Sequence, residues 1–443
     1  MMKEPMTFDR MLPALANVFD RRRSRMEQLG NVLVNRDLNG RVRIIVNEEL
    51  EYNADAQETL KAVARDIEVE LGPHAYPPDR AVLFEPQFQD SFQRETKFQL
   101  ESFPNICVVD RLVTEGNWAR IATFSGGAPR IAFYSIKGGV GRSTALAAAA
   151  AALAQHGKRV LVLDLDLESP GLSSSLLPED RRPAYGITDW LVEDLVDNGE
   201  AVFGNLVALS DLSPAGDIRV VPAHGADPGE YVSKLGRVWM PKVGDNGAAQ
   251  PWFVRLSRLV DELETSVSPD VVLIDARAGI DETASAIVTD LGVSLILLFA
   301  VNGDQTWNGY RTLFRHWRKT EAVRDIRERL QVVAALIPEE GSEEYRKSMN
   351  ENAWSLFLEE IYDQLPAIPA GGLEPEEGNE PWSFGLADET APHYPWRIYR
   401  HRGFAELKDL HSSVNWEDRQ LITAVFGGLI GGLSNRVMPR EGA

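Results

Sequence analysis

One stretch constrains this chain more than any other: residues 131–144, IAFYSIKGGVGRST. Its apolar start predicts a buried strand. Its middle, from Lys137 to Thr144, predicts a glycine turn, and the alanine-rich residues 145–155 that follow have the best helix-forming composition a sequence offers. A strand that enters a helix through such a turn makes an anion site. Glycine lets the backbone approach closely, successive N–H groups converge on one point, and the helix dipole favours negative charge there. A phosphate suits this geometry.

Two further segments belong with it. Arg159 to Leu163 reads as a strand that ends in Asp164-Leu165-Asp166-Leu167-Glu168, and Val271 to Ile274 reads as another that ends in Asp275-Ala276-Arg277-Ala278-Gly279. From Pro129 onward strands alternate with helices, as a parallel α/β sheet requires. Carboxylates at the C-terminal ends of such strands sit where ligands bind in these sheets. Two close carboxylates repel each other in a dry site, so a metal ion nearby is physically sensible.

The run KGGVGRST resembles the deviant Walker A motif of the ParA/MinD group of P-loop ATPases, K-G-G-x-G-K-[ST]. Lys137 matches its signature lysine, Gly138, Gly139, Gly141, Ser143 and Thr144 match in turn, and Val140 fills the free position. Arg142 stands where lysine is usual, although a subgroup of the family carries KGGVGR. The resemblance implies a mostly parallel P-loop sheet flanked by helices, with ATP and Mg²⁺ as cofactors. It implies that Gly138, Gly139, Val140, Gly141, Arg142, Ser143 and Thr144 hold the phosphates. Ser143 and Asp275 would hold the metal, Asp275 through water, with Asp164 near its water shell. Asp166 matches the aspartate that positions the attacking water, and Gly279 matches the glycine of the second switch loop. Lys137 would reach phosphates bound by a second copy, making an ATP-dependent homodimer whose state passes to an unidentified protein partner or to the N-terminal region. Arg142 replaces a compact ammonium by a planar fork. That leaves open a nucleotide-gated scaffold with little or no hydrolysis. A DNA-partition ATPase is a further alternative.

Residues 1–128 carry none of these motifs and read as a separate small α+β domain with a regulatory or interaction role, ahead of the ATPase domain at 129–443. Apolar positions recur at helical spacing from Phe8 to Val34, interrupted by the run from Arg21 to Arg25. A strand is expected at Val42 to Val46, then a helix from Ala54 to Leu71 capped by Asn53 or Asp55. Strands at Ala81 to Phe84 and Ile106 to Leu112 follow. A return strand at Trp118 to Thr123 would form a hairpin through Thr114 to Asn117, and Ser125-Gly126-Gly127 would be the linker.

The formal net charge of -20 argues against a strongly nucleic-acid-binding surface. Arg311, Arg315, Arg318 and Lys319 line one side of a late helix, where some ParA-like ATPases hold DNA; a salt-bridged surface is the favoured reading. The single cysteine, Cys107, excludes an intrachain disulfide and reads as a buried strand thiol. The N-terminal residues lack the apolar core of a signal peptide and no apolar run is long enough to span a membrane, so a cytoplasmic protein is expected. Residues 225–250 and 366–395 read as long loops that could close over a nucleotide or a partner. Gln331 to Pro338 reads as the last core strand, and the glycine-spaced tail, Leu421 to Leu433, predicts a closely packed terminal helix.

Overall fold

The structure is a computed structural model that describes residues 6–94, 97–112, 116–212, 217–244, 247–364, 381–404 and 418–437. The chain forms two compact units, Met1–Ala119 with Lys319–Glu321, and Arg120–Arg318 with Ala322–Ala443.

In the first unit, α1 (Phe8–Asp20) buries Met11, Leu12, Leu15, Val18 and Phe19 on one face. The short α2 (Arg23–Gln28) follows, and the arginine run around it is solvated and ion-paired, with Arg21 on Glu70 at 2.6 Å and Arg23 on Asp20 at 2.7 Å. Helical spacing in the sequence extends to Val34, but β1 (Val32–Arg36) is a strand. Its apolar, largely β-branched start suits a pleated surface, and its neighbours decide the matter. It pairs antiparallel with β2 (Val42–Asn47) and parallel with β5 (Ile106–Asp110). β3 (Val82–Glu85) and β4 (Phe98–Gln99) complete a sheet of order β3-β2-β1-β5-β4. Between β2 and β3, α3 (Ala54–Leu71) starts as expected, with Asn53 Oδ1 accepting from the Ala56 N–H at 3.1 Å. Cys107 on β5 is half-buried rather than fully buried.

The expected hairpin after β5 is not present. Thr114 and Glu115 lie outside the described residues, and no strand forms at 118–123. Both edges of β5 are already taken, by β1 and by β4. The segment instead bonds within the second unit, where the Ala122 N–H reaches the Thr289 carbonyl at 2.7 Å and the Ser125 N–H the Gly292 carbonyl at 3.0 Å.

Among the described residues, the main sheet of the second unit has eight strands: β6 (Arg130–Ser135), β7 (Arg159–Asp164), β8 (Ala208–Leu209), β9 (Asp217–Val221), β10 (Val271–Ala278), β11 (Leu295–Ala300), β12 (Leu330–Ile337) and β13 (Trp396–Tyr399). Their order is β13-β12-β11-β6-β10-β7-β9-β8. Every neighbouring pair is parallel except β8 with β9. β6 and β11 are buried along their whole length, as strands covered on both faces must be. β12 is therefore not the last strand: β13 lies outside it at the edge. Its four residues follow a stretch rich in Pro, Gly and acidic residues and include Arg397, so no apolar run announced it.

The helices of this unit include α4 (Arg142–Gln155), α5 (Ile187–Asp194), α6 (Trp252–Val267), α7 (Asp304–Lys319), α8 (Ser342–Glu360) and α9 (Arg419–Val437). α4 is buried all round from Thr144 to Ala154. Its alanines share one core with Ile131 and Phe133 of β6, Val160 and Val162 of β7, and Val425, Phe426, Leu429 and Leu433 of α9. Small side chains let α4 pack between the sheet and α9. The expected close packing of the terminal helix is thus present. Residues 225–250 are not featureless: they hold a short helix, Tyr231–Leu235, and a ribbon of Lys242–Val243 with Ala249–Gln250. Of the long loop at 366–395, residues 366–380 lie outside the described residues, while Trp382 and Phe384 pack their rings on Tyr362. No helix among the described residues is long and apolar enough to cross a membrane.

Candidate functional site

The chain runs from β6 through β7 to β9, returns to β10 beside β6, and then continues through β11 to β13 on the other side. Crevices outside the C-terminal ends of strands form where the direction of winding reverses. Residues 136–141 leave β6 there. Gly139 and Gly141 have φ of +73° and +77°, left-handed values that a side chain resists. Gly141 is also the N-terminal cap of α4, and its carbonyl takes the first helical bond, from the Ala145 N–H at 2.9 Å.

A cavity of about 390 Å³ opens at this turn. Its walls are the backbone and side chains of Gly138 to Thr144 on one side, and Asp166, Ser169, Arg277 and Ala278 on the other. The residues read from three separate segments of sequence are therefore brought together. Lys137 is exposed and does not line this cavity.

Behind the turn lies a buried charge cluster. Asp275 at the end of β10 accepts from Ser143 Oγ at 2.5 Å through one carboxylate oxygen and from Arg142 Nε at 2.7 Å through the other. The same guanidinium donates to Ser135 Oγ at 2.8 Å and to Asp166 at 3.3 Å. One planar fork thus ties the ends of β6 and β10 to the loop after β7, a geometry that an ammonium could not reproduce. Burial opposes its charge, but Asp275, Asp166 and Asp164 outweigh that, and its pKa is raised. This bracing role was missed in the sequence. Arg142 was legible as a departure from a motif and as a residue assigned to the phosphates, and Ser135 only as the last residue of a strand.

Asp164, at the end of β7, is completely buried and does not line the cavity. One of its oxygens accepts from the Ser173 N–H at 3.1 Å and Oγ at 2.7 Å. The other is buried with no hydrogen-bond partner. Burial, reinforced by the charge of Asp275, pushes its carboxyl up to about 7, and the Ser173 bonds only partly oppose this. Burial also raises Asp166, with Arg142 pulling the other way. Ser143 Oγ and the Asp275 carboxylate are hard oxygen donors of the kind a magnesium ion takes, whereas the unpartnered Asp164 oxygen is sealed off from the cavity. No group of three or more His, Cys, Asp or Glu that could hold a metal occurs among the described residues. Magnesium beside a phosphate needs only one or two protein carboxylates or hydroxyls, because phosphate and water supply the rest.

Gly279 follows β10. Its N–H donates to the Ser135 carbonyl at 2.9 Å, and its own carbonyl accepts from Tyr134 at 2.9 Å. Arg277 pairs with Glu168 and, at 3.7 Å, with Asp281. A second chamber of about 450 Å³ shares Gly139, Gly141 and Thr144 with the first. Its far wall is Leu336, Tyr399, His401, Phe404 and Phe426, most of which no sequence motif marked. The arginines of α7 pair with α8: Arg311 meets Glu359 at 3.0 Å, and Arg315 and Arg318 share Glu360 at 2.7 and 3.3 Å, so three guanidiniums face two carboxylates. His224 is held locally, with Nδ1 2.7 Å from the Gly225 carbonyl.

A mostly parallel sheet, a glycine turn at a helix N-terminus and acidic strand ends define the class of P-loop nucleotide-binding proteins. Residues 131–389 match the family model described as the CobQ/CobB/MinD/ParA nucleotide binding domain, more than half of the chain, and the chain belongs to that family. No curated protein matches it by sequence. Among solved structures it is similar to pNOB8 ParA bound to nonspecific DNA, at 16% identity over 70% of this chain and 98% of that one, with a TM-score of 0.43. It is similar to the cell division ATPase MinD of Pyrococcus furiosus, at 22% identity over 48% of this chain and 73% of that one, TM-score 0.34. It is also similar to cobyrinic acid a,c-diamide synthase from Mycobacterium smegmatis with bound ATP analog and magnesium, at 18% identity over 49% and 80%, TM-score 0.37.

Proposed function

We propose that the chain is an ATP-hydrolysing dimerisation switch. It binds ATP with magnesium, pairs with a second copy across the nucleotide, and passes its nucleotide state to a protein partner or to its N-terminal unit. One observation carries this reading: Ser143, Asp275 and Arg142 converge directly behind a loop of exposed glycine amides, with Asp166 facing the same cavity. The amides and the α4 N-terminus would bind the phosphate oxygens. Ser143 and Asp275 would hold magnesium, which when bound neutralises charge on the transferring phosphoryl group. Asp166 would accept a hydrogen bond from the attacking water and fix its line of approach. Lys137, exposed at the rim, is free of the cavity wall, as a residue that acts on a second copy's nucleotide would be.

The Arg142 brace supports a second reading, a nucleotide-gated scaffold with little hydrolysis. An arginine already engaged by Asp275, Ser135 and Asp166 is withheld from the phosphate, and it competes with magnesium for Asp275. The engaged arginines of α7 weigh against DNA as a principal ligand.

The test is the mass of the protein in solution with no nucleotide, ADP–Mg²⁺ and ATP–Mg²⁺, alongside ATP turnover. The switch requires a dimer with ATP only, its accumulation in Asp166→Ala, and its loss in Lys137→Ala with nucleotide binding retained. A nucleotide-independent mass refutes it. An ATP-dependent dimer with no turnover in the parental protein selects the scaffold.

A further inference from the structure

Between β9 and α6 the chain makes an excursion whose root is welded to the start of α5. The Ile187 N–H donates to the Pro222 carbonyl at 2.9 Å, Thr188 to Ala223 at 3.0 Å, and Ala226 to Pro183 at 2.8 Å. The two backbones touch: a Cβ on Gly225 would lie 2.0 Å from the Ala184 carbonyl oxygen. Farther along, Lys234 Nζ meets Asp189 at 2.5 Å, and Lys242 Nζ meets Asp194 at 3.1 Å and Asp197 at 2.6 Å. The excursion is therefore fastened to α5 and the turn after it at several separated points.

From its short helix, one polar contact reaches toward the nucleotide cavity. The Tyr231 hydroxyl donates to the Leu167 carbonyl at 2.5 Å, next in sequence to Asp166. The ring stands edge-on to His224, 5.2 Å between centroids. Burial pushes the phenol up to about 12, so it remains a donor at neutral pH. Leu167 is buried, and losing the donor would leave its carbonyl without that bond in a place where water cannot readily replace it. In the same turn, Asp166 Oδ1 accepts from the Ser169 N–H at 3.3 Å, so the backbone held by Tyr231 and the direction of the Asp166 carboxylate are linked.

We infer that Tyr231 is a positioning residue for Asp166, and that residues 225–243 act as a strap holding the loop after β7 in the register hydrolysis needs. The inference rests on the reading that Asp166 orients the attacking water. The phosphate loop makes none of these contacts, so the strap governs turnover and leaves nucleotide affinity alone.

Tyr231→Phe keeps the ring and removes only the donor. Its kcat for ATP should fall roughly five- to tenfold, the worth of one buried hydrogen bond, with KM and ADP affinity unchanged. Hydrogen exchange gives a readout that does not need turnover: in nucleotide-free Tyr231→Phe the amides of residues 166–169 should exchange several-fold faster, while those of 138–144 keep the parental rate. Parental exchange at 166–169 overturns the strap, whatever the kinetics. Faster exchange with parental kcat, or a change confined to KM, overturns the positioning role. A parental protein with no ATPase activity would instead remove the hydrolytic reading, and the exchange comparison would still decide whether Tyr231 holds the loop.

Discussion

Alanine substitution at four glycines of α9 separates helix propensity from steric fit. Gly427, Gly428, Gly431 and Gly432 all lie inside one helix, so propensity alone predicts that each change to alanine stabilises by about 1 kcal/mol. Their surroundings differ. A Cβ on Gly431 meets nothing within 4 Å, and one on Gly427 meets only the Thr423 methyl at 3.3 Å. On Gly428 it would lie 2.7 Å from the nitrogen and 2.9 Å from the oxygen of Arg397, backbone atoms of the edge strand β13 that α9 covers. On Gly432 it would lie 2.3 Å from the Trp396 ring. Restoring ordinary contact at Gly428 means separating helix and strand by about 0.7 Å, since normal contacts begin at 3.4 Å. Overpacking of this kind costs typically ~1–3 kcal/mol. After the propensity gain, Gly428→Ala should be destabilised by up to about 2 kcal/mol, while Gly431→Ala gains up to about 1 kcal/mol. Because a chain of two units need not unfold in one step, the assay is native-state hydrogen exchange of the α9 and β13 amides, which reads the local free energy. Gly428→Ala at least as protected as Gly431→Ala would refute the claim that these glycines are required by close approach.

Two further outcomes follow from the charge cluster. Arg142→Lys keeps the charge but can satisfy at most part of the three-way brace, so the nucleotide-free protein should lose about 2–3 kcal/mol and melt earlier; an unchanged melting temperature would show that the brace holds nothing. The Asp164 carboxyl, raised to about 7 when folded, binds its proton more tightly in the native state than in the unfolded chain. Its contribution to stability is therefore present below the unfolded value, near 4, and declines as pH rises to about 7. In metal- and nucleotide-free buffer, Asp164→Asn should gain on the parent between about pH 5 and 8, read from denaturant midpoints; a difference that stays flat over that range contradicts the burial argument.

The second unit was legible because its information is local. The glycine loop, the apolar strands ending in Asp164 and Asp275, and the alanine-rich helix each announce themselves within a dozen residues, and parallel strands buried on both faces read as continuous apolar runs. What escaped depends on distant partners. Val32 and Val34 fit a helical spacing until β2 and β5 flank them as a strand. Trp396–Tyr399 carries no alternation long enough to read, and becomes a strand only because β12 offers it an edge. The segment 118–123 reads as a strand but finds no free edge on β5. At the site, Arg142 was visible as an odd residue in a motif, whereas its three partners come from β6, the loop after β7 and β10. Tyr231 had no local signal at all, because its significance is a single bond to a backbone atom far away in sequence.

The second chamber has a consequence for how such a protein can diversify. The stretch matching the family ends at residue 389, yet Tyr399, His401, Phe404 and Phe426, which wall the space beside the glycine loop, all come later in the chain. The glycine turn and most of the space alongside it are thus encoded by different portions of sequence. Substitutions after residue 389 can reshape the neighbouring space while every atom of the anion-binding turn stays in place, so the choice of bound molecule and the handling of its charged end are separable by mutation.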